Sequence, residues 1–355
     1  VVVGSGIGGF YGAMIAKEQM PEAAVVMLEK NGYLGGSTNY AECNGPAKNQ
    51  DPVAARASGF SSAARTSFIA NSILHAERVK EAGDNADWLF GKHGCKFTQG
   101  GGPSFYEGGN GTSAINTLTP IAQEEGVDIR YNTEFTELIV DGNGEVLGAY
   151  AIDPDGNQIA VKAKKATVLA TSPFMRNKAM MEVCMPGVSD VDVVCGLGAY
   201  GAGHMAAEKL GATMWGRNNL YLVGGYDPFG TLNYCELCQF GAIDVNRDGD
   251  RFCNDGNHWS YERSQATINQ GINPETGTYF SWVIIDQSMY DNAMEIGAPL
   301  GLTEASAELL KKADTIEELA ELIGTPNLPA TVAKYNEDLA NGGDTLFGRI
   351  YRNGA

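Results

Sequence analysis

The chain has 355 residues, 43% of them hydrophobic, with 46 glycines and a formal charge of −18. That is the profile of a loop-rich α/β enzyme long enough for two domains, not of a disordered or fibrous chain. No basic run offsets the charge, which argues against nucleic acid and anionic membrane surfaces and leaves small molecules as partners. No apolar stretch approaches the roughly eighteen residues of a membrane span, and the seven cysteines, an odd count at mostly scattered positions, give no disulfide framework.

In chain order, Val1-Val2-Val3 reads as a β-branched strand that runs into Gly4-Ser5-Gly6-Ile7-Gly8-Gly9, a G-x-G-x-x-G, after which Phe10, Met14 and Ile15 recur at helical spacing. Strand, glycine turn and helix together predict a dinucleotide-binding βα unit. Gly4 permits the tight turn, Gly6 lets the backbone approach a pyrophosphate, and Gly9 lets the helix pack close to the strand with its N-terminal N–H groups facing the anion. About twenty residues further on, the strand Ala24-Val25-Val26-Met27-Leu28 ends in Glu29, whose carboxylate suits ribose hydroxyls and repels a 2′-phosphate, so NADP is disfavoured. The chain is expected to begin inside its first strand, which leaves no leader from which to choose between the cytoplasm and the cell envelope.

Lys30 leads into Gly35-Gly36-Ser37-Thr38, a second glycine-hydroxyl turn able to add donors to the same pyrophosphate. A fingerprint followed by Leu28-Glu29-Lys30 and then Leu34-Gly35-Gly36-Ser37-Thr38 resembles the flavoprotein subunit of the fumarate reductase and succinate dehydrogenase family. That resemblance implies FAD as the cofactor. Members with covalent flavin carry a histidine in this turn; here Thr38 stands there and no histidine precedes His75, which implies that FAD is held non-covalently.

Residues 53–92 read as helices ending in Ala86-Asp87-Trp88-Leu89-Phe90, and Ser113 through Glu125 as another, beyond a glycine-bracketed loop. Residues 127–168 read as a strand meander with hairpin turns at Asp141-Gly142-Asn143-Gly144 and Asp153-Pro154-Asp155-Gly156-Asn157. The strand that follows, Ala166-Thr167-Val168-Leu169-Ala170-Thr171, resembles the family's strand near the adenosine end of FAD, which implies cofactor contacts for Ala170 and Thr171. Ser172-Pro173-Phe174 replaces the usual Gly-Gly-Phe, so the local backbone path is expected to differ. The stretch from Gly198 to Ala206 resembles the family's Gly-Asp-Gly helix without its Asp. Gly241-Ala242-Ile243-Asp244-Val245-Asn246, running on to Arg251-Phe252, resembles the hairpin of the family's capping domain. The implied fold is α/β: a Rossmann-like FAD-binding domain with a β-meander over residues 1–217, an α+β capping domain over 218–342, and the start of a return to the first domain over 343–355. Members continue into segments that help to hold the isoalloxazine ring, and these are expected to be missing here.

Asp244, Asn246, Asp248, Gly249, Asp250 and Asp255 satisfy much of an EF-hand loop, but Arg251 fills a position that should be apolar and Asp255 is shorter than the usual bidentate Glu. A solvated acidic hairpin is the better reading. Cys235-Glu236-Leu237-Cys238 is a C-x-x-C without a second pair at zinc-finger spacing, and the four histidines lie in different segments, so no metal site is expected.

In fumarate-reducing relatives an arginine after the hairpin delivers the proton. Counting without gaps puts Trp259 there, and allowing two extra residues puts Tyr261. The relatives' dicarboxylate-binding Thr-Glu is replaced by Tyr234-Cys235, and no His-Pro counterpart occurs in Leu220-Tyr221-Leu222-Val223-Gly224. The expected chemistry is therefore hydride transfer between flavin N5 and an activated C=C bond of a small-molecule substrate other than fumarate, supported by an unidentified electron donor. Tyr261 is the first candidate for the acid, with Arg263 and His258 as neighbours able to shift its charge. Two alternatives stay open: an NAD-dependent dehydrogenase, which leaves the turn at residues 35–38 unexplained, and a non-catalytic calcium-binding protein, which explains only the acidic hairpin.

Overall fold

A computed structural model describes residues 1–41, 43–46, 87–99, 103–191, 193–214, 241–257, 261–275, 277–296 and 302–349. The chain divides into two compact units, one formed by Val1–Gly59 and Ile73–Asn218, the other by Phe60–Ser72 and Asn219–Ala355. Most of the helical stretch expected over residues 53–92, the glycines at 100–102, the Cys235 and Cys238 pair, and His258 with Trp259 lie outside the described residues.

The first unit runs through β1 (Val2–Val3), α1 (Ile7–Gln19), β2 (Val25–Leu28), β3 (Cys43–Pro46), β4 (Phe97–Gln99), β5 (Pro103–Tyr106), α2 (Thr112–Glu124), β6 (Val127–Arg130), β7 (Glu134–Val140), β8 (Val146–Ile152), β9 (Gln158–Lys162), β10 (Val168–Leu169), α3 (Lys178–Cys184) and α4 (Ala202–Glu208). A parallel sheet in the order β10-β1-β2-β6 forms its centre, with Val2 opposite Met27 on one side and Val168 on the other. Here the structure corrects the strand reading. Val127–Arg130 is not the first strand of the meander but the fourth of the parallel sheet, paired with β2, and only β7, β8 and β9 form the antiparallel meander.

Because strand side chains alternate faces, each short strand serves two cores. Val2, Val25 and Met27 pack with Phe10, Ala13 and Met14 of α1 and with Ile115, Leu118 and Ala122 of α2. Val3 and Leu28 instead pack with Phe135, Leu138, Ala149, Ala151 and Val161 of the meander and with Ala206 of α4. Full burial of side chains such as Phe10 and Met14 contributes about 1.5–3 kcal/mol each, which fixes α1 and hence the glycine turn ahead of it.

The expected helix end at residues 86–90 takes the form of a single π-helical turn, Asp87–Lys92. Glu18 on α1 pins it, accepting from Trp88 Nε1 at 3.0 Å and pairing with Lys92 at 2.6 Å and His93 at 3.3 Å. Burial opposes the charge on Glu18, but the bonds from Lys92, Trp88 and His93 hold its carboxyl below the ordinary value. His204 lies on α4, its ring edge-on to Phe174 at 5.7 Å.

The second unit contains β11 (Ile243–Val245), α5 (Tyr261–Asn269), β12 (Trp282–Ile284), α6 (Gln287–Ile296), α7 (Glu304–Ala307), α8 (Ile316–Ile323) and α9 (Leu328–Ala340). β11 pairs antiparallel with β12, and Ile243 and Val245 pack on Ala320, Leu328 and Tyr335. The expected turn follows β11: Asn246 N–H donates to the Asp250 carbonyl at 2.9 Å. Its tip requires glycine, because Gly249 has φ +91° and a Cβ there would lie 2.5 Å from Leu328 N. A capping box of Thr315 and Glu318 starts α8, and Gly324 in the left-handed region ends it. Among the described residues, no helix is long and apolar enough to cross a membrane.

Candidate functional site

The two glycine turns of the first unit meet and are bonded into one cradle. Gly4 has φ +101°, and a Cβ on it would lie 2.4 Å from the Ala170 carbonyl oxygen, so the exit from β1 rests directly on the end of β10. A Cβ on Gly9 would lie 2.0 Å from the Gly4 carbonyl oxygen, which is the close helix-to-strand packing its position in the motif requires. Gly6 faces the second turn, with Thr38 Oγ1 3.3 Å from where its Cβ would be, whereas nothing lies within 4 Å of the corresponding point on Gly8. The side chain of Thr38 accepts the N–H of Ile7, the first residue of α1, at 2.9 Å. That tie gives Thr38 a structural task at the position where covalent relatives are expected to carry a histidine.

Ser5 joins the turns at their base, a role that the motif reading passed over because it occupies an "x" of the fingerprint. Its hydroxyl donates to Glu29 Oε2 and accepts the Gly35 N–H at 3.1 Å, while its own N–H reaches Glu29 Oε2 at 3.3 Å. Glu29 is buried. Its second oxygen, Oε1, accepts the Asn31 backbone N–H at 2.8 Å and the Asn31 side-chain amide at 2.9 Å. Lys30 projects the other way, to an ion pair with Glu134 at 2.7 Å and a place 5.1 Å above the Tyr200 ring. With both partners of that pair substantially exposed, it contributes no more than about 1 kcal/mol.

The second turn is closed over by residues 195–200. Gly36 and Ser37 run so near Gly196 that a Cβ on Gly196 would lie 2.6 Å from the Gly36 carbonyl carbon. Ser37 Oγ accepts the Gly196 N–H at 3.0 Å and donates to Ser172 Oγ at 3.2 Å. Ser172, where the family sequence has glycine, thus supplies an anchor for Ser37. Thr171 Oγ1 would be 2.3 Å from a Cβ on Gly203, which fixes the start of α4 against β10. The cofactor-site residues named from sequence, Gly4, Gly6, Gly8, Gly9, Glu29, Lys30, Gly35, Gly36, Ser37, Thr38, Ala170 and Thr171, all lie on this connected set of turns. Two close-approaching glycine turns, a helix N-terminus and a buried strand-end carboxylate fit the pyrophosphate and ribose of a dinucleotide such as FAD.

The second unit holds a buried cluster of charges that sequence reasoning missed. Arg251 makes two-pronged contacts, to Asp255 at 2.9 and 2.8 Å and to Asp344 at 3.2 and 2.9 Å. Arg349 reaches Asp255 at 3.1 Å and the Ala242 carbonyl at 2.8 Å. Arg263 Nε donates to Asp244 at 2.7 Å. Burial alone would raise the carboxyl of Asp344, but hydrogen bonds from Arg251 and from backbone N–H groups bring it down to about 2. Burial, reinforced by the charge of Asp244, pushes the Cys253 thiol up to about 12, which leaves it unreactive at neutral pH.

These pairings bear on two expectations. Asp244 and Asp255 face arginines, and Asn246 Oδ1 accepts the N–H groups of Asp248 and Asp250, both at 3.0 Å. Two acids of the EF-hand pattern are thus paired with arginines, and the Asn246 side-chain oxygen braces its own turn. Arg263, two residues after Tyr261 on α5, is buried against Asp244. Tyr261 is the first residue of α5.

A family model described as an FAD binding domain matches residues 1–353. A probable fumarate reductase of Shewanella frigidimarina, Ifc3, is 28% identical over 371 residues, covering 98% of this chain and 60% of its own length. A 3-oxosteroid 1-dehydrogenase of Mycobacterium tuberculosis is 30% identical over 261 residues, covering 68% of this chain and 45% of its own. The chain thus spans about half to three-fifths of the length of these relatives. Among solved structures, a 3-ketosteroid-delta4-(5alpha)-dehydrogenase from Rhodococcus jostii superposes with a TM-score of 0.74 at 22% identity, over 99% of this chain and 79% of that one, which shows a shared fold. Taken with the cradle of Gly4, Gly9, Glu29 and Gly35, the match along nearly the whole chain establishes that this protein belongs to the FAD binding domain family and is an α/β flavoprotein.

Proposed function

We propose that the protein is an FAD-dependent oxidoreductase that moves hydride between flavin N5 and a carbon–carbon double bond activated by a neighbouring carbonyl, on a small substrate less anionic than fumarate. The observation that carries this reading is the doubly tied cradle, in which Ser5 links Gly35 to Glu29 and Thr38 links the second turn to α1. A nicotinamide enzyme has no need of that second turn. The named substrates of the two relatives, fumarate and 3-oxosteroids, agree on the bond type, since each sets the reacting carbons beside a carbonyl group. Replacement of the expected Thr-Glu by Tyr234-Cys235 favours the neutral enone side of that range.

When bound, FAD supplies the hydride acceptor or donor, and a protein side chain must handle the accompanying proton. Tyr261 is assigned that proton. A phenol has an unperturbed value near 10, so it needs a nearby positive charge or hydrogen-bond donor to act. His258, three residues earlier, is assigned that part, and Arg263 a positioning part, since its bond to Asp244 anchors the first turn of α5. Electrons come from a donor of unspecified kind. Tyr261→Phe keeps the ring and removes only the hydroxyl. It is expected to slow enone-driven reoxidation of the reduced flavin by roughly 10²-fold with FAD binding unchanged. A loss below about threefold would take the proton role away from Tyr261.

A further inference from the structure

Glu29 receives four donors from its own chain: Ser5 N–H and Oγ–H on Oε2, and Asn31 N–H and the Asn31 side-chain amide on Oε1. A carboxylate offers about four lone-pair positions, so the group expected to bind the adenosine ribose is already saturated. Three of those donors cannot withdraw. Ser5 is buried in the turn and tied to Gly35. The Asn31 backbone is clamped, because its carbonyl accepts the Asn132 N–H at 3.1 Å while the neighbouring Glu29 carbonyl accepts the Thr133 N–H at 2.8 Å. The fourth donor, the Asn31 carboxamide, swings on its own side chain, is only half-buried, and lies beside Gly198, where even an added Cβ would stand 3.5 Å from its nitrogen. Its orientation follows from electrostatics, since the carbonyl end of the amide would repel the carboxylate.

We propose that the Asn31 carboxamide is a displaceable stand-in for a ribose hydroxyl. It keeps the buried Glu29 carboxylate satisfied when the cradle lacks its cofactor, and it gives up Oε1 when the adenosine ribose arrives. The proposal rests on the family's FAD site and adds that this chain has a built-in competitor for it. Leaving Glu29 short of a donor makes the cofactor-free protein less stable, while the swap in the native protein exchanges one charge-assisted hydrogen bond for another and so weakens the net gain from binding.

The test titrates the protein and its Asn31→Ala variant with FAD, ADP and 2′,3′-dideoxy-ADP, following flavin fluorescence or heat, and records the melting temperature of each cofactor-free protein. The variant is expected to bind FAD and ADP three- to tenfold more tightly than the native protein, to bind the dideoxy analogue no more tightly, and to melt lower without ligand. Unchanged or weaker ADP binding would overturn the proposal, as would an equal gain for the dideoxy analogue, because either result makes Asn31 a fixed contact or a general brace. Failure of the native protein to bind FAD at all would instead refute the cofactor assignment, and this proposal with it.

Discussion

The cradle of the first unit and the charge cluster of the second are both dense, buried and polar, yet they are built on opposite plans. The cradle removes side chains. Gly4, Gly9 and Gly196 let backbone come within reach of backbone, and one hydroxyl each from Ser5, Thr38 and Ser37 ties the turns together. The cluster adds long side chains, with three arginines and three aspartates neutralising one another inside the second unit. The first plan gathers two backbone turns and the start of α1 at one place. The second pairs its carboxylates with arginines and serves to fasten residues 344–349 to the hairpin.

The two plans fail differently, which makes the contrast testable. At Gly9 the added methyl of an alanine meets the Gly4 carbonyl oxygen, a backbone atom that cannot swing away. Gly9→Ala is therefore expected to weaken FAD binding by about 100-fold or more, or to prevent folding, since overpacking against fixed atoms costs about 1–3 kcal/mol or more and displaces α1. Gly8→Ala, one residue earlier with nothing within 4 Å, is expected to raise the melting temperature slightly, because alanine is favoured over glycine in a helix by about 0.5–1 kcal/mol. Similar behaviour of the two variants in melts and FAD titrations would contradict the cradle geometry.

In the cluster, Arg251→Ala strands two buried carboxylates and is expected to destabilise the second unit by about 3–5 kcal/mol in denaturant unfolding. The same pairing sets an acid limit. The carboxyl of Asp344 lies at about 2 against an ordinary 3.8, so the stability it contributes is fully present above pH 3.8 and is lost as pH falls toward 2. That amounts to about 2 kcal/mol, and Asp344→Asn should flatten this part of the stability profile. An unchanged slope would separate Asp344 from Arg251. A smaller effect is expected at Thr38. Because it holds the Ile7 N–H and carries no nucleophilic ring nitrogen, acid precipitation of the holoprotein should leave the yellow colour in the supernatant, and colour in the pellet would show a covalent bond at another residue.

How far each region could be read in advance follows from these plans. Gly4, Gly9, Glu29 and Gly35 sit within a few dozen residues of one another, and each answers a local backbone demand, so spacing alone exposes them. Residues 127–130 read as part of the meander because alternating apolar residues fit a parallel strand as well as a meander strand. Arg251 and Asp344 are 93 positions apart, and no local pattern links them. The acids from Asp244 to Asp255 form a local pattern, but the pairing of Asp244 with Arg263 and of Asp255 with Arg349 spans 19 and 94 positions. Ser5 and Asn31 escaped notice because any small polar residue suits a turn; the available signal was an amide side chain two residues after the strand-end acid, a spacing at which such a side chain can reach back to it.

The central claim is that this FAD cradle serves the reduction or formation of an activated carbon–carbon double bond on a substrate other than fumarate. The most direct measurement is anaerobic stopped-flow absorbance of the chemically reduced holoprotein mixed with a simple cyclic enone and, separately, with fumarate. The expected result is rapid return of the oxidised flavin spectrum with the enone and at least about tenfold slower return with fumarate. Reoxidation by fumarate alone, or by neither compound nor any other activated alkene, would contradict it.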